Sequence, residues 1–178
     1  MKLRFTIITY AMLLLGAAFS AQAQMEMPKP APELKKLDAF AGTWTMEGDM
    51  KPGPMGPGGK WTGTEHSDWM EGGYFLQGHS EFKGPMGNAK GPSFMGYDSN
   101  DKVYTYDAFN SMGEAEHAKG TVDGDTWSWT GEEKMGGQTM KGRYTVKITS
   151  PSTYDMKYEM SSDGATWNTV MEGKAKKK

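Results

Sequence analysis

The stretch Ala41-Gly42-Thr43-Trp44 decides the fold, because a short helical segment ends at it and the first β-strand begins there. Before it, apolar residues recur at helical spacing: Leu34, Leu37 and Phe40. Pro32 suits the first position of a helix, and Gly42 suits its exit. A two-turn amphipathic helix is not stable by itself. We therefore predict a helix over residues 33–40 that packs its apolar side on the following strands, with Trp44 on the buried face of the first strand.

After this stretch the sequence consists of strand-like runs separated, at nearly regular intervals, by turn residues. In Thr153 to Ser161, tyrosine and methionine alternate with polar residues, which is typical of a strand with one buried face. Asp123-Gly124 between two such runs is typical of a tight hairpin. We predict strands near residues 43–50, 60–69, 73–82, 91–98, 102–109, 114–122, 125–133, 138–149, 153–161 and 166–173.

These runs are too close together in sequence for crossover helices between them, so the sheet should be antiparallel and meandering. The chain contains 24 glycines, which favour curling of a long sheet, and closure removes the unpaired edges. The predicted fold is therefore all-β. It is an antiparallel up-and-down meander closed into a barrel of eight to ten strands, with a short N-terminal helix.

Residues 1–23 have the features of a secretory signal peptide. Lys2 and Arg4 precede an apolar run, and Ala21-Gln22-Ala23 matches a cleavage site. We therefore expect cleavage near Ala23 and a periplasmic or secreted protein. The predicted division of the remaining chain is an extended tether over 24–32, a single barrel domain over 33–173 and a basic disordered tail over 174–178.

Composition argues against several classes of function. The chain carries a net charge of −2 and four of its lysines lie in the last five residues, whereas a nucleic-acid-binding domain normally presents a basic face. No stretch after the leader is apolar for the roughly 20 residues that a membrane-spanning helix needs. The chain has no cysteine, so an exported form must be stable without disulfides. We expect a monomer.

The sequence contains no catalytic motif of the G-x-S-x-G or G-x-x-x-x-G-K-[ST] type. Its three histidines, His66, His79 and His117, lie on different predicted strands without the close ligand spacing of a zinc site. A haem-binding barrel needs only one axial histidine, so haem stays open as a cofactor. An enzyme acting at the mouth of the barrel would have to use acidic residues near strand ends: Asp68, Glu71, Asp107, Glu114 and Glu116.

Four segments carry a family resemblance: Ala41-Gly42-Thr43-Trp44, Trp69-Met70-Glu71-Gly72-Gly73-Tyr74-Phe75-Leu76, Gly96-Tyr97-Asp98 followed by Tyr104, and Asp163-Gly164. Together they resemble an exported bacterial family that is catalogued as domain of unknown function 1579. The resemblance covers residues 33–173. The order of helix, G-x-W and meander is also similar to lipocalins and other calycins, which implies a lipocalin-like barrel. It implies no activity and no catalytic residue.

A barrel of this size can enclose one small molecule. Alternation along the strands places aromatic side chains inside it: Trp44, Trp127, Trp129, Tyr144, Tyr154 and Tyr158. These residues either line a ligand cavity or simply fill the barrel. We predict a non-enzymatic binder of a small apolar or amphipathic molecule. The alternative is an enzyme or envelope stress factor that acts at the mouth of the barrel.

Arg143 is the one arginine after the leader. Calycin-type barrels often place an arginine against the tryptophan of G-x-W or against a ligand carboxylate, so the resemblance makes Arg143 a candidate ligand-binding residue. Its strand parity predicts the opposite orientation. With Tyr144 facing in, Arg143 faces out unless a bulge near Gly142 reverses it.

Methionine-glycine pairs recur in the predicted loops. In an up-and-down meander the loops after strands one, three, five and seven share one rim, and each carries such a pair: at Met55, Met86, Met112 and Met135. Flexible thioethers can repack around dissimilar apolar guests. They are also soft ligands for Cu(I), but the closest spacing, Met25-Glu26-Met27, lies in the tether, so a methionine-rich Cu(I) site is the weaker alternative. The helix should plug the opposite, polar rim.

Overall fold

A computed structural model describes residues 29–53, 56–135 and 137–178, without the side chain of Met135. These residues form one 3-10 helix and ten strands. The strands are β1 (Gly42–Met50), β2 (Gly59–Trp69), β3 (Leu76–Gly84), β4 (Gly87–Asp98), β5 (Val103–Phe109), β6 (Ala115–Asp123), β7 (Thr126–Met135), β8 (Gln138–Ser150), β9 (Thr153–Ser161) and β10 (Asn168–Lys177). Each strand runs antiparallel to the next, and β1 pairs with β10. The predicted closed all-β barrel is confirmed, with ten strands.

The 3-10 helix, Pro32–Ala39, closes one end of the barrel and is called here the entry helix. Leu34, Leu37 and Phe40 are spaced by three residues, which is the period of a 3-10 helix, so they lie on one side of it. All three are buried in the core of the barrel. We call this end the helix rim, and we call the other end, formed by the loops after β1, β3, β5, β7 and β9, the far rim.

Two strand boundaries differ from the prediction because of turn chemistry. Residues 73–75 form a turn before β3 rather than its start, since Gly72 and Gly73 adopt positive φ angles of 90° and 71°. The β3–β4 hairpin is tighter than predicted. Gly84 pairs with Gly87, so only two residues form the loop and both strands extend further.

The prediction that residues 174–178 form a disordered tail is wrong. β10 continues to Lys177, and Lys176 pairs with Thr45 on one side and Thr153 on the other. The physical reason is alternation: Ala175 faces the core and is 3% exposed, while the lysines beside it face solvent. This lysine-rich segment is therefore a strand in the barrel wall.

The predicted signal peptide, residues 1–23, and residues 24–28 of the predicted tether lie outside the described residues, as does Met55. Within the described part of the chain, no helix is long and apolar enough to span a membrane.

Candidate functional site

The half of the barrel next to the entry helix is filled by aromatic rings. The Phe40 ring lies 5.1 Å from Trp127, and Trp127 stacks on Trp129 at 5.8 Å. The Trp44 indole N–H donates a hydrogen bond to the Phe40 carbonyl at 3.0 Å, and its ring lies 4.8 Å from Tyr154. The predicted inward residues Trp44, Trp127, Trp129 and Tyr154 are buried, and each is at most 5% exposed. In this half of the barrel the aromatic side chains form core.

The middle of the barrel contains a buried carboxyl group that was not among the predicted site residues. Glu65 on β2 accepts hydrogen bonds from the hydroxyls of Ser67, at 3.2 Å, and Ser93, at 3.5 Å. Gly78 makes room for this group, because a Cβ there would lie 2.6 Å from the Glu65 carboxylate. Burial raises the pKa of Glu65, and the serine hydrogen bonds oppose that rise.

A second acidic group lies between the middle of the barrel and the far rim. The Tyr158 hydroxyl donates a hydrogen bond to Glu133, and Gly142 leaves space for this contact. Glu116 on the neighbouring strand β6 and Glu133 line one small pocket. Burial raises the pKa of Glu116 to about 7, with further contributions from the negative charges of Glu133 and Glu114. Glu116 is thus the one residue of the predicted acidic set that points into the barrel.

The pocket bounded by this group has a volume of about 10 Å³, roughly the room that one water molecule needs. Trp129 and Tyr144 form its inner wall. The pocket lies where two strands separate. The hydrogen-bonded pairing of β6 with β7 stops at Ala118 and Gly131, although β6 begins at Ala115 and β7 continues to Met135. Residues of both unpaired ends line the pocket, Glu116 and His117 on β6 and Glu132 and Glu133 on β7, and we call this separation of the strands the β6–β7 gap.

Two tyrosines, Tyr106 and Tyr144, share the interior with the acidic groups. Burial raises the pKa values of Tyr106 and Tyr144 well above the usual range, and the charges of Glu65 and Glu116 add to the effect in both. Both phenols therefore stay neutral hydrogen-bonding groups. The Tyr154 hydroxyl, by contrast, points to the Met46 sulfur at 3.6 Å.

Arg143 lies on the outer face of β8, the orientation that its strand parity predicts. Its guanidinium donates to the Glu159 carboxylate at 2.8 and 3.0 Å, and its Cζ lies 4.1 Å from the centre of the Trp167 ring. Lys157 also contacts Glu159, at 2.8 Å. Arg143 therefore covers a buried carboxylate on the outside of the barrel, and it does not line the interior.

The histidines and most of the acidic candidates also lie outside. His66 pairs with Asp68 at 2.7 Å, and His117 pairs with Asp107 at 2.6 Å, all with exposed side chains. His79 and Glu71 are exposed, and Glu114 caps the β5–β6 loop through Asn110.

These positions do not fit a haem held from inside the barrel, because none of the three histidines points inward. Within the described residues there is also no group of three or more His, Cys, Asp or Glu side chains that could hold a metal ion.

The topology brings the predicted methionine loops to the far rim. A Cβ at Gly56 would lie 3.6 Å from the Met86 side chain, so the β1–β2 and β3–β4 loops touch. Met86 packs partly against the core, whereas Met112 is 48% exposed. The backbone of Met135 ends β7 at the same rim.

A larger hollow of about 480 Å³ lies beside β1, β9 and β10. Its rim consists of outward side chains of both charges, including Glu47, Asp155, Lys174 and Lys176, and it is open to solvent. The interior pocket is smaller but chemically distinctive. It alone of the two combines buried carboxyl groups, neutral phenols and an indole ring.

Two of the interior acids, Glu65 and Glu133, were missed although the sequence contained a signal for them. Glu65 shares strand parity with Trp61 and Trp69, and Glu133 shares it with Trp127 and Trp129. An acidic residue on the apolar face of an alternating strand predicts a carboxyl group inside the barrel.

Comparison with family models matched residues 29–177 to the family described as "Protein of unknown function (DUF1579)". Among solved structures, the crystal structure of Rv2717c from M. tuberculosis superposes with a TM-score of 0.57 at 12% identity, covering 84% of this chain and 99% of that one. The S-type phycobiliprotein lyase CPES from Guillardia theta gives 0.55 at 5% identity, covering 81% and 90%. At these identities the likeness shows the fold alone. No curated protein matched the sequence.

Proposed function

The chain belongs to the DUF1579 family of proteins of unknown function, and we propose that it is a non-enzymatic binder of a small amphipathic molecule. We further propose that residues 1–23 direct its export and that the mature protein acts outside the cytoplasm. The family and the fold leave the ligand open, so the proposal depends on the interior of the barrel.

The observation that carries the proposal is the gap between the ends of β6 and β7. It lies at a pocket that contains polar groups without a hydrogen bond to the described residues, namely Glu116 and the Tyr144 hydroxyl. A barrel that only needed to be stable would fill this space with apolar side chains, because an ionisable group in the interior costs free energy. At the opposite end Leu34, Leu37 and Phe40 of the entry-helix segment are buried in the core.

In this structure the pocket is the size of a water molecule. The amphipathic ligand therefore inserts its head group into the pocket, and its tail separates the ends of β6 and β7. The far-rim loops suit such an opening. In these loops Gly113 and Gly137 have positive φ angles, a backbone conformation that glycine adopts without strain.

The experiment that tests the proposal is native mass spectrometry of the protein purified from its own host, paired with titration of the neutral fluorophore N-phenyl-1-naphthylamine. We expect a co-purifying small molecule and saturable binding of one fluorophore, displaced by lipid-like competitors. A bare chain mass together with no saturable binding would contradict the proposal.

One observation favours a second candidate, an acid–base enzyme. Burial raises the pKa of Glu116 to about 7, so this carboxyl can gain or lose a proton near neutral pH, as a general acid or base does, and Glu133 lines the same pocket. Turnover of glycosides or esters that is lost in Glu116→Gln, with fluorophore binding retained, would favour the enzyme over the binder.

A further inference from the structure

The interior of the barrel has acidic groups but almost no basic partner for them. Glu65, Glu116 and Glu133 point inward on β2, β6 and β7. Among the described residues, the one basic side chain at an inward strand position is Lys177, and its Nζ lies 5.4 Å from the Trp44 ring at the helix rim. The acidic groups of the far half therefore lack an internal counter-ion. A buried carboxylate without a cation is destabilising, so this charge pattern favours a positive guest.

Two polar side chains at the pocket have unused hydrogen-bonding capacity. Tyr144 is half-buried, and its hydroxyl makes no hydrogen bond to any described residue. Glu116 likewise accepts no hydrogen bond from the described residues. Their polar atoms are not sealed, because every fully buried side-chain oxygen and nitrogen in the described part of the chain has a partner. Both residues line the pocket.

The pocket walls add aromatic faces to these acceptors. Trp129 and Tyr144 line one side, and Tyr158 is held in place by its hydrogen bond to Glu133. Indole and phenol rings attract cations through their faces, most strongly where water is excluded. Carboxylate oxygens and aromatic faces around one enclosed space are the groups that bind organic cations.

We propose that the amphipathic ligand is cationic, with a primary ammonium head group that sits between Glu116, Glu133 and the Trp129 ring. This inference rests on the proposed binding function. The pocket of about 10 Å³ fits an ammonium group, which is close in size to a water molecule and donates three hydrogen bonds. The apolar body extends through the β6–β7 gap to the far rim, where Phe109 and Met112 are 46% and 48% exposed.

The first test compares three probes that share a twelve-carbon chain: dodecylamine, dodecanol and dodecanoate, each below its micelle concentration. Binding is followed by tryptophan fluorescence at pH 7.5. We expect dodecylamine to bind at least about tenfold more tightly than the other two. If dodecanol or dodecanoate binds as tightly as the amine, the inference is overturned while the proposed binding function stands. If none of the three binds, the binding function itself fails.

The second test uses Glu116→Gln and Glu133→Gln, which keep side-chain size and remove the charge. We expect each to weaken dodecylamine by about tenfold and to leave dodecanol unchanged. Glu81→Gln, at an exposed position on the outer face of β3, is the matched control and should bind like the wild type. Unchanged amine affinity in both interior variants overturns the inference. If a variant does not fold, the wild-type comparison still decides.

Discussion

The Tyr104 hydroxyl on β5 donates a hydrogen bond to the backbone carbonyl oxygen of Glu33, at 2.9 Å, and so ties the entry helix to the barrel wall. Glu33 is the second residue of the entry helix, so this bond fixes the start of a helix that is too short to be stable by itself. We expect Tyr104→Phe to lower the free energy of unfolding by about 1 kcal/mol, measured by urea denaturation. Tyr97→Phe, which removes a neighbouring hydroxyl without a hydrogen bond among the described residues, is the control. Equal losses in the two variants would contradict this role.

Arg143 should contribute to stability from outside the barrel. Its ion pair with Glu159 covers a carboxylate that is only 7% exposed. We expect Arg143→Ala to cost about 1–3 kcal/mol, because Lys157 remains as a partner but two charge-assisted hydrogen bonds are lost. The measurement is thermal and urea unfolding, with the exposed Lys147→Ala on the same strand as control. A loss below about 0.5 kcal/mol, the size of an ordinary surface change, would exclude the proposed role.

The same ion pair sets a pH dependence. Burial acts to raise the pKa of Glu159, but hydrogen bonds and charges from Lys157 and Arg143 outweigh it and hold the pKa below 4.5. A carboxyl with a lowered folded-state pKa stabilises the protein above its unfolded pKa, and this stabilisation is lost as the pH falls through the folded value. The stability difference between wild type and Arg143→Ala should therefore shrink on acidification below about pH 4. A constant difference from pH 7 to pH 3 would contradict the assignment.

Glu116 should have the opposite effect on stability. Its pKa is raised from 4.5 to about 7, so the folded protein binds an extra proton between these values and loses stability as the pH rises through them. We expect Glu116→Gln to remove this slope and to be more stable than wild type at pH 8, by on the order of 1–3 kcal/mol. Urea denaturation from pH 4.5 to 8 measures it, with Glu81→Gln as control. Parallel pH profiles for wild type and Glu116→Gln would disprove the assignment.

A disulfide placed across the β6–β7 gap tests whether ligands enter there. The chain has no cysteine of its own, so the introduced pair has no competing thiol. His117 and Glu132 flank the gap on its two strands and have exposed side chains. We expect oxidised His117→Cys/Glu132→Cys to slow N-phenyl-1-naphthylamine entry by at least about tenfold, and reduction to restore it. The reduced protein is its own control. Equal entry rates in the oxidised and reduced forms would show that ligands enter elsewhere.

The methionines of the far rim should contribute to apolar affinity. We expect combined Met55→Gln, Met86→Gln, Met112→Gln and Met135→Gln to weaken N-phenyl-1-naphthylamine several-fold, because glutamine keeps the length of the side chain but removes its apolar, polarizable sulfur. Met70→Gln, exposed at the helix rim, is the control. Competition with a Cu(I) chelator checks the alternative. Full probe binding by the quadruple variant, or tight Cu(I) binding that the variant loses, would contradict the expectation.

Strand periodicity predicted most of the fold, because apolar inward residues and polar outward residues alternate along the sequence of a half-buried strand. Tyr154, Met156, Tyr158 and Met160 face inward as predicted. The prediction failed at residues 174–178, because the lysine content was given more weight than the inward position of Ala175. The helix was predicted correctly because apolar residues spaced by three lie on one side of both an α-helix and a 3-10 helix.

The candidate site was less predictable, because it depends on which strands separate. Parity alone shows that Glu65 and Glu133 point inward, but it does not show that β6 and β7 stop pairing at Ala118 and Gly131. Nor does sequence spacing show that Tyr158 meets Glu133 across β8. Such contacts depend on the curvature of the closed sheet.

The pairing of β1 with β10 also constrains how the chain reaches its native state. Thr45 donates a hydrogen bond to the carbonyl of Lys176, which is 131 residues away in sequence. Until the last ten residues are available, both β1 and β9 have unpaired edges that can pair with other chains. Ring closure over such a distance is slow compared with hairpin formation. A chain truncated before β10 is therefore expected to aggregate, and pairing of the final strand completes folding.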